Sequence, residues 1–90
     1  MDGALRLGGN IELFGVENID RASMVVLKKI IGTYARKFSE KGLDRLSVSF
    51  GDKEIRVEAV SQGNTHSAAA VHSNLFFGID NALKEIESKL

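Results

Sequence analysis

The chain has no cysteine, no proline and no tryptophan among its 90 residues. Without cysteine it can build no disulfide scaffold, no thiolate zinc site and no cysteine nucleophile. That composition fits a reducing, cytoplasmic setting. No apolar run is longer than the four residues at 24–27. The sequence therefore offers no membrane-spanning stretch and no signal-peptide core at its N-terminus. Repeats, linkers and low-complexity segments are missing too, which leaves one domain over residues 1–90. The 43% hydrophobic and 27% charged content is that of a globular chain rather than a disordered one. Nucleophile motifs are also lacking. No serine sits in a nucleophile elbow, and Gly8-Gly9-Asn10 lacks the Lys-Ser/Thr of a phosphate-binding loop.

What is present is strong periodicity. Residues 10–14 alternate apolar and polar and end at Gly15, which predicts a strand. Leu5 to Leu7 alternate as well, so Gly8-Gly9 is either loop or the turn after an extra short strand. Residues 20–41 carry Met24, Leu27, Ile30, Ile31, Tyr34 and Phe38 on one side of a helix. Asp20 is its expected N-cap, Ile19 and Met24 its hydrophobic staple, and Gly42 its C-terminal stop with Leu43 against Phe38. Residues 44–51 and 54–60 alternate around the turn at Gly51-Asp52-Lys53 and predict a hairpin. After a turn at Gln62-Gly63-Asn64, residues 65–71 read as a fourth strand of small side chains. A second helix over 74–90, capped by Asn74 or Ser73, carries Leu75, Phe76, Ile79, Leu83, Ile86 and Leu90 on one stripe. The expected fold is α+β: a two-layer β-α-β-β-β-α sandwich with a four-stranded mixed sheet and both one-sided helices on one face. The other face, with Arg45, Ser47, Ser49, Glu54, Arg56 and Glu58, is polar enough to stay wet.

Zero net charge conceals an uneven layout. Six basic residues (Arg21, Lys28, Lys29, Arg36, Lys37 and Lys41) and a single acid, Glu40, fall between positions 21 and 41, leaving six basic and eleven acidic residues elsewhere. Helical spacing puts Arg21, Lys28, Lys29 and Arg36 on one flank, away from the apolar stripe. Such a patch can meet a phosphate backbone while the whole protein stays neutral. The plain alternative is a solvated helix face. Against it stands the near absence of acids: only Glu40 is placed to pair with Arg36 or Lys37.

Residues 66–90 resemble the C-terminal part of the ribosome hibernation-promoting factors, also known as the sigma-54 modulation or ribosome-associated inhibitor family. The shared features are the strand of His and small residues at His66-Ser67-Ala68-Ala69-Ala70, then Asn74 at the cap and Phe76 at the aromatic position. Ile79-Asp80 and the stripe through Ile86 and Leu90 follow. The predicted element order and the glycine-led entry from Gly15 into the first helix are similar as well. Glu85 and Glu87 depart from the family's more basic second helix. The resemblance implies a short, single-domain, non-catalytic protein that binds ribosomal RNA, occludes the channel of the small ribosomal subunit and silences translation. It needs no cofactor. The residues expected to meet RNA are Arg21, Lys28, Lys29, Arg36 and Lys37, with Arg45 and Lys84 as additions.

Two other readings are open. His66, His72 and Asp80 are the candidates for a metal or catalytic site. Six residues of extended strand separate the two histidines by roughly 20 Å, too far to chelate one ion directly. Asp80 is accounted for by the dipole of the second helix. The larger competitor is a protein-interaction subunit with no nucleic-acid role, or a homodimer formed through an edge strand or through Phe76/Phe77. Adjacent Phe76 and Phe77 cannot both point into a core.

Overall fold

Alternation decides which side of each strand stays dry. The computed structural model describes residues 5–7, 10–71 and 74–90. Its order is β1 (Leu5–Leu7), β2 (Ile11–Phe14), α1 (Arg21–Ser39), β3 (Leu43–Phe50), β4 (Glu54–Ser61), β5 (Asn64–Val71) and α2 (Leu75–Lys89). The strands lie side by side in chain order. Only β2 and β3 run parallel; the other neighbours are antiparallel. A parallel pair needs a crossover, and α1 supplies it.

The sheet has five strands, where the alternation predicted four with a possible fifth. In β1, Leu5 stands opposite Leu13 and Leu7 opposite Ile11, while Arg6 pairs with Glu12 on the outer side at 3.0 Å. Three residues are too few for alternation to be decisive. Pairing with β2 settles the matter, because it covers an edge that would otherwise lie open. The expected turn at Gly8 and Gly9 lies outside the described residues.

Leu13, Leu46, Val48, Phe50, Ile55, Val57, Ala59 and Ala68 form one buried cluster with Leu27, Ile31, Tyr34, Ala35 and Phe38 of α1 and with Ile79, Ala82, Leu83 and Ile86 of α2. Both helices therefore cover the same face of the sheet. Residues of the opposite phase on the strands, including Arg45, Ser49, Arg56, Glu58, Ser67 and Ala69, are exposed. Small residues bring α2 close to the sheet: Gly78 and Ala82 are buried in the helix, and Ala68 is buried on β5.

Local chemistry fixes the ends. Asp20 caps α1, accepting from the Ser23 backbone N–H at 3.0 Å and from the Ser23 hydroxyl at 2.7 Å. The helix stops at Ser39, before the expected residue 41, and Gly42 takes φ +87° as the chain turns into β3. Ser61, buried in β4, locks this corner by donating to the Gly42 carbonyl at 3.1 Å. Gly15 ends β2 at φ +76°, where a Cβ would stand 2.2 Å from the Phe50 carbonyl oxygen. Gln62 and Gly63 both have positive φ, 54° and 81°, the signature of a two-residue type I′ hairpin between β4 and β5. Asn74 caps α2, its Oδ1 accepting from the N–H groups of Phe76 and Phe77.

Candidate nucleic-acid interface

Helix α1 buries one stripe and offers the rest to solvent. Arg21, Lys28, Lys29, Arg36 and Lys37 are all exposed. They are distributed over about 24 Å of helix, at 1.5 Å per residue. Among the described residues none of the five enters an ion pair; the four ion pairs present belong to Arg6, Arg56, Lys84 and Lys89. The anticipated pairing of Glu40 with Arg36 or Lys37 is not formed. Lys37 instead lies over the Tyr34 ring, its Nζ 5.2 Å from the ring centre. That geometry turns Lys37 toward α2, where its charge also acts on the Asp80 carboxylate.

Apolar and small residues separate these cations. Val25 and Val26 are 51% and 42% exposed on the same side of α1. Gly32, one turn from both Lys28 and Arg36, faces open space: a Cβ there would meet no atom within 4 Å. Close packing therefore does not explain the glycine. It leaves a shallow notch between three cationic side chains, the third being Lys29.

The two remaining candidates lie elsewhere. Arg45 projects from the uncovered face of the sheet, on the far side from α1. Lys84 reaches the seam between the helices, near Lys37, but its Nζ is held 3.2 Å from Asp80. The structure thus gathers Arg21, Lys28, Lys29, Arg36 and Lys37 on one helix, leaves Arg45 apart and neutralises Lys84.

The seam contains a side-chain bond that periodicity alone did not reveal. Tyr34 donates its hydroxyl to Asp80 Oδ1 at 2.8 Å, joining α1 to α2. Burial, helped by the adjacent carboxylate, pushes the Tyr34 hydroxyl up to about 12. The same hydrogen bond, with Lys84 and Lys37 nearby, holds the Asp80 carboxyl below its usual range. Asp80 thus has a specific partner rather than a general role at the helix N-terminus. The available signal was a tyrosine on an apolar stripe, since a buried phenol seeks an acceptor.

Of the two histidines, His66 is half-buried on β5 and His72 lies outside the described residues. Among the described residues no group of three or more His, Cys, Asp or Glu is arranged to hold a metal ion. Phe76 packs partly against the core while Phe77 is 61% exposed. No helix in the described residues is long and apolar enough to cross a membrane.

The uncovered sheet face is electrically mixed. Arg6 pairs with Glu12, Arg56 with Glu54, and Arg45 shares the face with Glu58. A shallow cavity of about 320 Å³ lies there beside Phe14, Ser49 and Arg56. In comparisons with known proteins, no family model matches the chain and no curated protein matches its sequence.

Proposed function

We propose that the protein binds structured RNA through the outer face of α1, and that its target is ribosomal RNA of the small subunit. Bound there, it would silence translation by occupying space, with no chemical step. The observation that carries this reading is the set of four exposed cations on the outer flank of α1, Arg21, Lys28, Lys29 and Arg36, with Lys37 toward α2; none of the five is engaged in an ion pair among the described residues. Unpaired cations at a protein surface pay no cost of breaking a salt bridge when they meet phosphate. Contacts of this sort position a protein by shape and charge without reading sequence. The resemblance of residues 66–90 to the hibernation-promoting factors points to the ribosome as the source of that RNA. The β-α-β-β-β-α order after β1 is consistent with it.

The test is co-sedimentation with ribosomal subunits on sucrose gradients at about 50 and about 300 mM salt. Binding through several phosphates weakens steeply over that range. Lys28→Glu combined with Lys29→Glu should abolish binding at both salts while leaving the thermal melt in place, since both side chains are exposed. Binding that ignores both salt and the double substitution would refute the assignment to α1.

A protein-interaction role is the second reading. It is favoured by one specific observation, the uncovered edge of β5.

A further inference from the structure

The two edges of the sheet differ. β1 offers three residues, whereas β5 offers eight. The two-residue turn makes Ser61 and Asn64 the closing hydrogen-bonded pair of the β4–β5 hairpin, and pairing then alternates. His66, Ala68 and Ala70 consequently direct their backbone groups to β4. Thr65, Ser67, Ala69 and Val71 direct theirs outward. The Ser67 carbonyl demonstrates this phase: it accepts from Lys89 Nζ at 2.6 Å, from the side away from β4.

Such an edge invites another strand unless it is blocked by charge, proline or a bulge. β5 reads Asn-Thr-His-Ser-Ala-Ala-Ala-Val and carries no Lys, Arg, Asp or Glu. Its pairing with β4 is regular throughout. Val71 is 73% exposed.

We infer that a second copy of this chain pairs with β5 edge to edge, antiparallel, about a twofold axis beside Ala68. In that register Ser67 faces Ala69 of the other copy and Thr65 faces Val71. All four outward-directed residues then meet outward-directed residues, and the facing side chains are small. The sheet becomes continuous over ten strands with all helices on one side.

The helices support a second copy over an unrelated strand. α2 packs on β4 and β5, one strand spacing from the new axis on each side. The two copies of α2 would therefore run antiparallel about 10 Å apart at a strand spacing of ~4.8 Å, which is a normal helix-packing distance. The flank of α2 toward the edge carries Glu85 and Lys89, which form an i,i+4 ion pair at 3.2 Å. A groove of about 240 Å³ beside this edge opens mainly on the uncovered face, where Arg56, Glu58, Ser67 and Ala69 line it, and reaches Glu85 of α2. Twofold symmetry brings two Glu85 and two Lys89 together, so each lysine can leave the Ser67 carbonyl and bridge to the other copy's glutamate. The cluster is neutral and self-complementary. The vacated carbonyl receives the N–H of Ala69 from the other copy.

The experiment is sedimentation equilibrium of the full chain from about 1 to 500 μM. The expected mass is twice the 9.8 kDa of one chain. Ala69→Pro removes an N–H that points away from β4, so the internal ladder survives while the partner's bond is lost. Its dimer dissociation constant should rise at least tenfold with an unchanged circular dichroism spectrum. Should that variant fail to fold, Ala69→Lys places a charge on the same exposed position. Glu85→Lys should weaken the dimer likewise, by gathering four positive charges at the axis, and Glu85→Lys with Lys89→Glu should restore it. A monomer at every concentration overturns the inference and leaves the edge to a strand from another protein. So does a dimer indifferent to Ala69 and to the charge swap. Ribosome binding does not enter this readout, so the two proposals fail separately.

Discussion

Replacing Gly32 by alanine should stabilise this protein. The residue sits in the middle of α1, where glycine costs about 0.8–1.0 kcal/mol relative to alanine through the backbone entropy it gives up on folding. That gain is realised only if the methyl fits and the backbone is ordinary. Both conditions hold: a Cβ at position 32 meets no atom within 4 Å, and the residue is absent from the positive-φ positions of the chain. The expected effect is therefore about 1 kcal/mol of added stability. For a domain of this size that raises the melting temperature by about 4–8 °C. Urea unfolding followed by circular dichroism measures it directly. The midpoint should move up while the slope stays fixed, since the surface exposed on unfolding barely changes. A fall in stability would refute the reasoning, because it would mean that something packs against position 32. A gain in stability accompanied by weaker salt-dependent RNA binding would place the RNA backbone in the notch between Lys28, Lys29 and Arg36.

Gly15 should behave in the opposite way. A Cβ there would come within 2.2 Å of the Phe50 carbonyl at φ +76°, so Gly15→Ala should cost more than about 2 kcal/mol in the same urea titration. Tyr34→Phe removes the hydrogen bond to Asp80 and should cost about 1 kcal/mol at neutral pH. Its pH dependence is diagnostic. The folded-state value of Tyr34 is raised to about 12, so the wild-type advantage is complete below about pH 10, the unfolded value, and disappears as pH climbs toward 12. At the acid end Asp80 is depressed, so the advantage also declines as pH falls below about 4. A stability difference between wild type and Tyr34→Phe that is flat from pH 3 to 12 would refute the bond.

Much of this fold was readable because burial has a period. The alternation at Leu46, Val48 and Phe50, and again at Ile55, Val57 and Ala59, matches the buried positions of β3 and β4. The same holds for Leu27, Ile31, Tyr34 and Phe38 on α1. The caps at Asp20 and Asn74 were legible because a short polar side chain before an amphipathic run has few other uses. β1 was only half legible: three residues give one and a half periods, and its place depends on a partner strand that begins four positions beyond its own end. The Tyr34–Asp80 bond was not legible at all as a pair. The two residues lie 46 positions apart, and only the parallel lay of two helices on one sheet brings them together. The candidate interface shows the same division. Helical spacing places Arg21, Lys28, Lys29 and Arg36 on one flank, and the structure leaves all four exposed there, because they share one element. Arg45 and Lys84 were grouped with them by charge alone, and the sheet puts the first on its opposite side while Asp80 neutralises the second.

The two proposed surfaces lie at different places on the molecule, and that separation has consequences. α1 is the crossover between β2 and β3, whereas the free edge belongs to β5. A dimer formed through β5 therefore leaves both cationic faces uncovered. The two copies of α1 would stand on the same side of the joined sheet, about six strand spacings or roughly 29 Å apart. RNA bound by one copy need not displace the other. Two linked cationic helices would instead engage a large folded RNA with a higher effective concentration than either alone, provided that its phosphates span that distance. Binding by the dimer should then show a steeper dependence on salt than binding by Ala69→Pro, since the slope counts the phosphates neutralised. Equal slopes would mean that only one α1 reaches the RNA at a time. The edge would in that case serve assembly and not affinity.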